Sequence, residues 1–558
     1  VPWSIAPRLH GFGAELDAGD AGLAGVPSQA AWGAANVILA SVVESLAGDV
    51  MTLTADTLSN ESAFAEREGF LEALLPQKQV AAYSELIANP EYVAYLFDKY
   101  PLIIARTHVR IELVVASMAK LVRRLAADRH ELAASLGVDI AQFAVRGIRR
   151  GTGDSHHGAD SVSLLHLVDG RTVVYKPRDV SPEAAFGRFL GWLAEQDARF
   201  SQHSPWVLCR EGYGWMQFVA VASLPPGRAA AFYYRYGVLM GAVFALNGTD
   251  IHHENLIAHG EFPVVIDLET ILQPIMLRGN EDSEPSYLLD LEFFVNSPLY
   301  TAMVDPAFLG KVNDGGPLAI KPQVDWGGWD AVEPAEGEGF RIEQPRILAS
   351  ASNLVRDGER IVDFTDFIDD ILRGFGDLYD FLLQRKLELL GGRLDELASG
   401  VVIRVIFKPT AKYSKILSVS HSAYAQESNF QFDEFIGKLW LTAVTKPAIG
   451  KIVLSECEDV WCGDVPYFCA EATSDSLRDS RGRSIDGVLL HDGLEATRAK
   501  LATLSTETKA QDLSTLRYAL LRKREQLHSA DEPAGALDGG PLAILKLLAQ
   551  RILMDNGR

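Results

Sequence analysis

The chain has 558 residues, 48% of them hydrophobic and 23% charged, a length that exceeds one hydrophobic core and suits roughly three to four domain-sized units. A formal net charge of −22 argues against a general affinity for nucleic acid, because such binding depends on neutralising phosphates with Lys and Arg. Only 4 cysteines occur, too few for a disulfide framework in so long a chain, so a reducing cytoplasm is the expected location.

The chain opens on VPWSIAPRLHGFG, which lacks an initiator methionine and the basic and apolar regions of a signal peptide, as a trimmed or excised piece would. No run of about 18 uncharged apolar residues reads as a membrane span. Residues 28–136 read as helical, with apolar residues three and four apart in PEYVAYLFDKY and in IARTHVRIELVVASMAKLVRRLAADRHELAASLG. From about residue 142 the period changes to that of strands: FAVRGIRR, a polar loop GTGDSHHGAD, then SVSLLHL and RTVVYKP. Asp169-Gly170 between the last two runs predicts a tight hairpin. In SPEAAFGRFLGWLAEQ, Ser181 reads as an N-cap, Pro182 as the first helical residue and Glu183 as a first-turn acid.

WVLCREGYGWMQFVAV reads as strands, and FYYRYGVLMGAVFALNG as a helix leading into LNGTDIHHENLIAHGEFPVVIDLETI, residues 246–271. Residues 310–345, rich in Gly and Pro, read as a long mobile loop. DFIDDILRGFGDLYDFLLQRKLELLGG is an amphipathic helix ended by glycines. In VVIRVIFKPT, strand alternation puts Arg404 and Lys408 on one face, with Thr410 just past Pro409. Cys209, Cys457, Cys462 and Cys469 form no CxxC pair and read as buried thiols rather than a zinc site.

Polar residues as concentrated as Asp250, His252, His253, Glu254 and Asn255, set beside the apolar run Phe262 to Ile266, are costly to bury without partners and read as a site. The order of parts is that of a phosphoryl-transfer site, where catalysis is positioning and charge neutralisation. Lys176, ending a strand, would meet ATP phosphates, and GTGDSHHG would cover them with backbone N–H groups. Asp250 would orient or deprotonate the acceptor hydroxyl, and Asn255 and Asp267 would hold magnesium through oxygen. Blander readings exist: a strand-end lysine is usually a solvated charge, Asp and Asn often cap turns, and a strand arginine usually makes a surface ion pair. His156, His157, His252 and His253 could instead serve a zinc hydrolase, although the chain lacks HExxH and its inverse.

Asp250-Ile251-His252-His253-Glu254-Asn255 followed by Asp267-Leu268-Glu269 resembles the DxHxxN motif and metal-binding aspartate of lipid-kinase-like catalytic domains. With GDSHHG, VVYKPR, RVIFKPTAKYSKIL (404–417) and GDVPYF (463–468), the chain more closely resembles the dehydratase domain of class II lanthipeptide synthetases, the LanM family. That resemblance implies an α+β enzyme with a two-lobed lipid-kinase-like core over residues 141–300. A helical N-terminal region, 1–140, would precede it, and 301–558 would complete the dehydratase with C-terminal α/β elements. It implies ATP and Mg2+ as cofactors, and phosphorylation of Ser and Thr in a precursor peptide with a leader and a Ser/Thr-rich core. Phosphate elimination to dehydroalanine or dehydrobutyrine would follow.

By the same resemblance Lys176 is the ATP-phosphate lysine, Asp250 the catalytic aspartate and His252 the histidine supporting its loop. Asn255 and Asp267 are the magnesium ligands, and Glu269 a further acid needed for phosphorylation. Arg404 and Thr410 serve elimination, and Asp154 and His156 belong to the same site. The alternatives are a peptide or lipid kinase that stops at phosphorylation and a catalytically dead leader-binding scaffold. Family members also carry a cyclase whose zinc is held by two cysteines and a histidine. Beyond Cys469 the sequence offers no cysteine and only His491 and His528, so dehydration without ring closure is expected, with a separate or fused zinc cyclase as partner.

Overall fold

The computed structural model describes residues 28–67, 85–86, 88–151, 154–276, 293–304, 316–322, 324–326, 330–332, 341–343, 346–348 and 351–528. Helix and sheet are mixed, as expected of an α+β chain. The opening is helical: α1 (Ser28–Arg67), α2 (Pro90–Lys99) and α3 (Pro101–Leu136). Asn89 caps α2 by accepting from the Glu91 N–H, and Gly137 ends α3 at φ 64°, a left-handed position that costs glycine nothing. Val37–Ser62 within α1, at mean hydropathy 1.5, is long and apolar enough to cross a membrane by length and composition alone, but Glu44, Asp49, Asp56 and Glu61 interrupt it, so it holds no uncharged run of about 18 residues. In this fold Ile38, Val42 and Leu46 pack instead with Val114 and Met118 of α3.

That core continues into an antiparallel sheet of β1 (Val145–Arg149), β2 (Ser163–Leu167), β3 (Thr172–Lys176), β4 (Val207–Arg210) and β5 (Tyr213–Gln217), in the order β1-β2-β3-β5-β4. Ser163, Leu165 and Leu167 alternate inward along β2. The Asp169-Gly170 hairpin forms as expected, Gly170 sitting at φ 89°. α4 (Ser181–Gln196) follows β3, but its N-cap is Val180 rather than Ser181. The Ser181 hydroxyl instead accepts from the Val402 N–H at 3.0 Å, a tertiary bond that outbids the local cap.

α5 (Ala229–Ala245) and α6 (Ile368–Gln384) cross at glycine contacts. A Cβ on Gly237 would stand 2.0 Å from the Ile371 carbonyl oxygen, and one on Gly374 2.0 Å from that of Tyr234. The largest apolar cluster surrounds this crossing, with Phe244, Phe375, Leu378 and Leu516 among its members. β6 (Leu256–His259) and β7 (Phe262–Val265) form the hairpin of the polar segment.

Beyond β8 (Ile275–Met276) come β9 (Val324–Trp326), β10 (Asp330–Val332), β11 (Arg341–Glu343) and β12 (Arg346–Leu348). β9 pairs with β12 and β10 with β11, so where it is described the segment expected to be a mobile loop forms two short ladders. Three-residue strands are too short for a period to register. The rest of 310–345 lies outside the described residues.

β13 (Arg356–Asp357) and β14 (Arg360–Ile361) form a small hairpin before α6. A second antiparallel sheet orders β15 (Val402–Arg404), β16 (Phe468–Glu471), β17 (Leu477–Asp479) and β18 (Ser484–Ile485) in sequence, and β19 (Leu489–His491) pairs with β8. The longer helices of this part are α7 (Thr410–Ser420), α8 (Asn429–Ile436), α9 (Val453–Trp461), α10 (Gly493–Thr503) and α11 (Thr506–His528). β15 stops at Arg404, so the alternation that seemed to carry Lys408 does not extend to it. Lys408 is buried against Glu456 and Tyr413, and Thr410 is the first residue of α7, because Pro409 lacks the N–H a ladder needs.

Candidate active site

β3 delivers Lys176 to the foot of the N-terminal sheet, where its Nζ donates to Glu183 Oε1 at 3.0 Å and to the Ile266 carbonyl at 2.7 Å. Asp267 Oδ2 lies 3.3 Å from the same ammonium. Two residues on, the Arg178 guanidinium reaches Glu183 at 2.5 Å, Glu269 at 2.8 Å, and Asp267 in a short contact. Two cations and three carboxylates thus neutralise one another where isolated charges could not be buried. Burial alone would raise the Asp267 pKa, but Arg178 and Lys176 outweigh it and hold the carboxyl well below its usual range. Glu183 is lowered by the same two cations against its own burial.

The Asp250 segment is fixed by its backbone. The Asn247 and Asp250 φ angles are 50° and 62°, left-handed values that Asn and Asp tolerate better than most residues. Asn255 Nδ2 donates to the Asp250 carbonyl at 2.9 Å, and the Ile266 N–H donates to the Asn255 carbonyl at 2.9 Å, which sets Asn255 beside the strand leading to Asp267. His252 caps the turn His253–Asn255, its Nδ1 accepting from the Glu254 N–H at 3.3 Å. Burial raises the Asp250 pKa; His252 and Arg404 oppose the rise, and Glu269 and Asp267 reinforce it.

Glu269 joins this group to Arg404. Arg404 Nη1 donates to Glu269 Oε1 at 2.7 Å, and the Arg404 N–H to the Glu269 carbonyl at 2.7 Å. The guanidinium also stands 5.1 Å from the centre of the Tyr467 ring, against which His156 and His157 pack at 5.2 and 4.5 Å. His156 Nδ1 lies 2.7 Å from the Val465 carbonyl, which can only accept, so Nδ1 carries the proton and Nε2 keeps its lone pair. Burial and Arg404 keep its pKa well below the ordinary histidine value, and the imidazole stays neutral. Asp154 is exposed as a residue, but the protein around its carboxyl desolvates it and raises its pKa, Arg404 opposing and Glu254 and Glu269 reinforcing. Thr410 makes no direct bond to this cluster among the described residues.

Asp464 anchors the loop over the site. Its carboxylate accepts from the Gly158 and Ala159 N–H groups at 2.8 and 3.0 Å, from Ser155 Oγ at 2.8 Å and from Arg110 at 2.6 Å. His157, Gly158 and Ala159 all have positive φ, a turn held only because those bonds over-determine it. Thr152 and Gly153 of the expected phosphate-covering loop lie outside the described residues.

The sequence reading gave no role to Arg178, Glu183, Asp464 or Tyr467. Arg178 stood in the quoted VVYKPR, and Asp464 and Tyr467 in GDVPYF, but nothing local distinguishes them. Glu183 read as a helix-start acid. Both His156 and His157 spend Nδ1 on main-chain carbonyls. Cys209 is exposed and Cys457, Cys462 and Cys469 are half-buried, which corrects the expectation of buried thiols. A cavity of about 200 Å³ lined by Phe189, Trp192, Leu246 and Leu397 contains none of the residues above.

Residues 100–471 match the family described as "Domain of unknown function (DUF4135)", a span that includes every member of the cluster from Asp154 to Tyr467. The chain belongs to the DUF4135 family. DUF4135 is the domain associated with LanM-type synthetases. A curated relative, the "Lacticin 481/lactococcin biosynthesis protein LcnDR2" of Lactococcus lactis subsp. lactis, is 23% identical over 457 residues. The match covers 78% of this DUF4135 chain and 47% of the relative, so the chain spans about half the length of the protein it matches.

Proposed function

We propose that the chain is the dehydratase of a class II lanthipeptide pathway, phosphorylating Ser and Thr of a leader-bearing precursor peptide with ATP and then eliminating the phosphate. The observation that carries this reading is the position of Glu269, bonded on one side to Arg178 of the Lys176–Asp267 group and on the other to Arg404. Groups suited to phosphoryl transfer and a cation suited to a departing phosphate therefore share one site. The sheet bearing Lys176 and the α5 to β7 region would form the two lobes of a lipid-kinase-like core.

In the first half-reaction Lys176 would neutralise ATP phosphates. Asp250 orients the peptide hydroxyl and accepts its proton as its oxygen bonds to the γ-phosphorus and the bond from that phosphorus to the β-phosphate oxygen breaks, releasing ADP. Asp267 is anionic and the Asn255 main chain bonds to Ile266, the residue before it, so this pair of hard oxygen donors would hold the magnesium that offsets phosphate charge. His252 keeps the Asp250 loop in place. In the second half-reaction the Cα proton leaves to a base, its electron pair forms the Cα–Cβ double bond, and the Cβ–O bond breaks with the phosphate taking its electrons. Arg404 receives that phosphate, with the Thr410 hydroxyl as a further donor once substrate is bound. His156, neutral with a free Nε2 lone pair, can take the α-proton, and Asp154 borders the same space. With only 4 cysteines in the chain, a reducing cytoplasm is the proposed location. Thiol addition is left to a zinc cyclase, separate or fused.

Incubating the protein with its precursor peptide and Mg-ATP, followed by intact-mass measurement, tests this. The expected product has lost one water per modified residue. A stable gain of phosphate would leave a kinase that stops after the first step, and unchanged peptide under conditions where the protein is folded would overturn both readings.

A further inference from the structure

A buried polar chain that takes no part in the chemistry above runs behind the site. Lys500 Nζ, from α10, donates to Asn247 Oδ1 at 3.2 Å, beside the Phe244 ring at 4.2 Å. Asn247 Nδ2 donates to the Gln273 carbonyl at 2.8 Å, and the Gln273 N–H returns to the Asn247 carbonyl at 3.3 Å. Gln273 Nε2 then donates to the Arg404 carbonyl at 2.7 Å. Asn247 and Gln273 are buried, at 7% and 3% exposure, where water cannot replace a lost partner.

The path joins the two halves of the proposed reaction. Asn247 stands three residues before Asp250 in the segment whose Leu246 and Thr249 also bond to Leu272 and Thr270. Gln273 follows Glu269 by four residues and grips the main chain of Arg404 itself. We infer that Gln273 and Asn247 are positioning residues that hold the Arg404 strand in register with the Asp250 loop, so that a hydroxyl phosphorylated at Asp250 is already placed for elimination at Arg404. The inference rests on the two-step reading of the site. Neither side chain touches substrate; each acts through the backbone it holds. The Arg404 carbonyl has Gln273 Nε2 as its side-chain partner, and losing it removes one of the ties on Arg404, leaving its N–H bond to the Glu269 carbonyl and its pairing with Cys469. The groups around Asp250 keep their own bonds, to Asn255 and to Thr270 across the Thr249 pair. Loosening Gln273 should therefore harm elimination more than phosphorylation.

The test is a time course of phosphopeptide and dehydrated peptide for wild type, Gln273→Met, Asn247→Asp and Arg404→Met, using the peptide that the wild type dehydrates. Gln273→Met keeps the side-chain volume and removes the donor. Asn247→Asp keeps the acceptor for Lys500 and removes the donor to Gln273, so it decides the matter should Gln273→Met fail to fold. Both should phosphorylate within a few-fold of wild type while eliminating roughly 10- to 100-fold more slowly, as expected for an ångström-scale misplacement. Phosphopeptide should accumulate. Equal loss of both half-reactions, tracking the folded fraction, or no accumulated phosphopeptide from folded variants, would overturn the inference. Arg404→Met separates this from the reading beneath it: if that variant too accumulates no phosphopeptide, the elimination role of Arg404 fails first.

Discussion

At the scale of single residues, the decisive fact about Asp250 is that its carboxyl is harder to ionise than an ordinary aspartate, through burial and the acids Glu269 and Asp267. A base must be ionised to accept a proton, so phosphorylation should fall with decreasing pH along a limb lying above the usual aspartate value of about 3.9. Glu269→Gln removes one repelling carboxylate and frees Arg404 to attract Asp250, and both effects move the limb to lower pH. The residual phosphorylation rate of Glu269→Gln as a function of pH checks the sign; a limb that stayed or rose would show that Asp250 does not set it. Asp250→Asn should cost well over tenfold in phosphorylation at any pH.

Lys500 makes a second residue-scale prediction. Burial pushes its pKa down to about 7, with Asp512 opposing. In the unfolded chain a lysine titrates near 10.4. The unfolded state therefore holds this proton where the folded state does not, and stability attributable to Lys500 is lowest below about pH 7 and rises between there and about pH 10. Lys500→Met should remove that rise, so the difference in unfolding free energy between wild type and variant should change across the window. A difference independent of pH would place the ammonium in a wetter setting than its contacts with Asn247 and Phe244 describe.

At the scale of elements, the α5–α6 crossing is the joint on which the lower half of the site is mounted, because α5 runs directly into Asn247 and Asp250. Close approach there needs the absence of a side chain, so Gly374→Ala drives a methyl into the Tyr234 carbonyl with no flexible atom to yield. A loss of roughly 3 kcal/mol or more is expected, at the upper end of overpacking costs. Gly376 on the same helix is the control. A Cβ there meets only Leu513 and Lys509 side-chain atoms at 3.6 Å or more, and Gly376→Ala should be neutral or stabilising by up to about 1 kcal/mol. Urea unfolding of the two variants distinguishes a backbone contact from a general intolerance of alanine in α6, which would lower both.

At the scale of the whole molecule, what could be read from sequence followed sequence distance. Strand, hairpin and helix order from Val145 to Ala245 was legible because each rests on periods and turn residues a few positions apart. Asp250, Asn255 and Asp267 were visible as a group because one hairpin carries them. Arg178 was not, since what marks it is a bond to Asp267 across 89 positions, and Glu269 meets Arg404 across 135. Ser181 and Lys408 were misread for the same reason: a local rule, capping for one and strand alternation for the other, lost to a distant partner in Val402 or Glu456.

The central claim is that one site carries two half-reactions, divided at Arg404. The most direct measurement takes the product of Arg404→Met acting on the precursor with Mg-ATP, purifies it, and returns it to wild-type protein with ADP in place of ATP. The account predicts that the first product is phosphopeptide and that wild type converts it to dehydrated peptide. Dehydrated peptide from Arg404→Met at the wild-type rate, or phosphopeptide that wild type leaves intact, would contradict it.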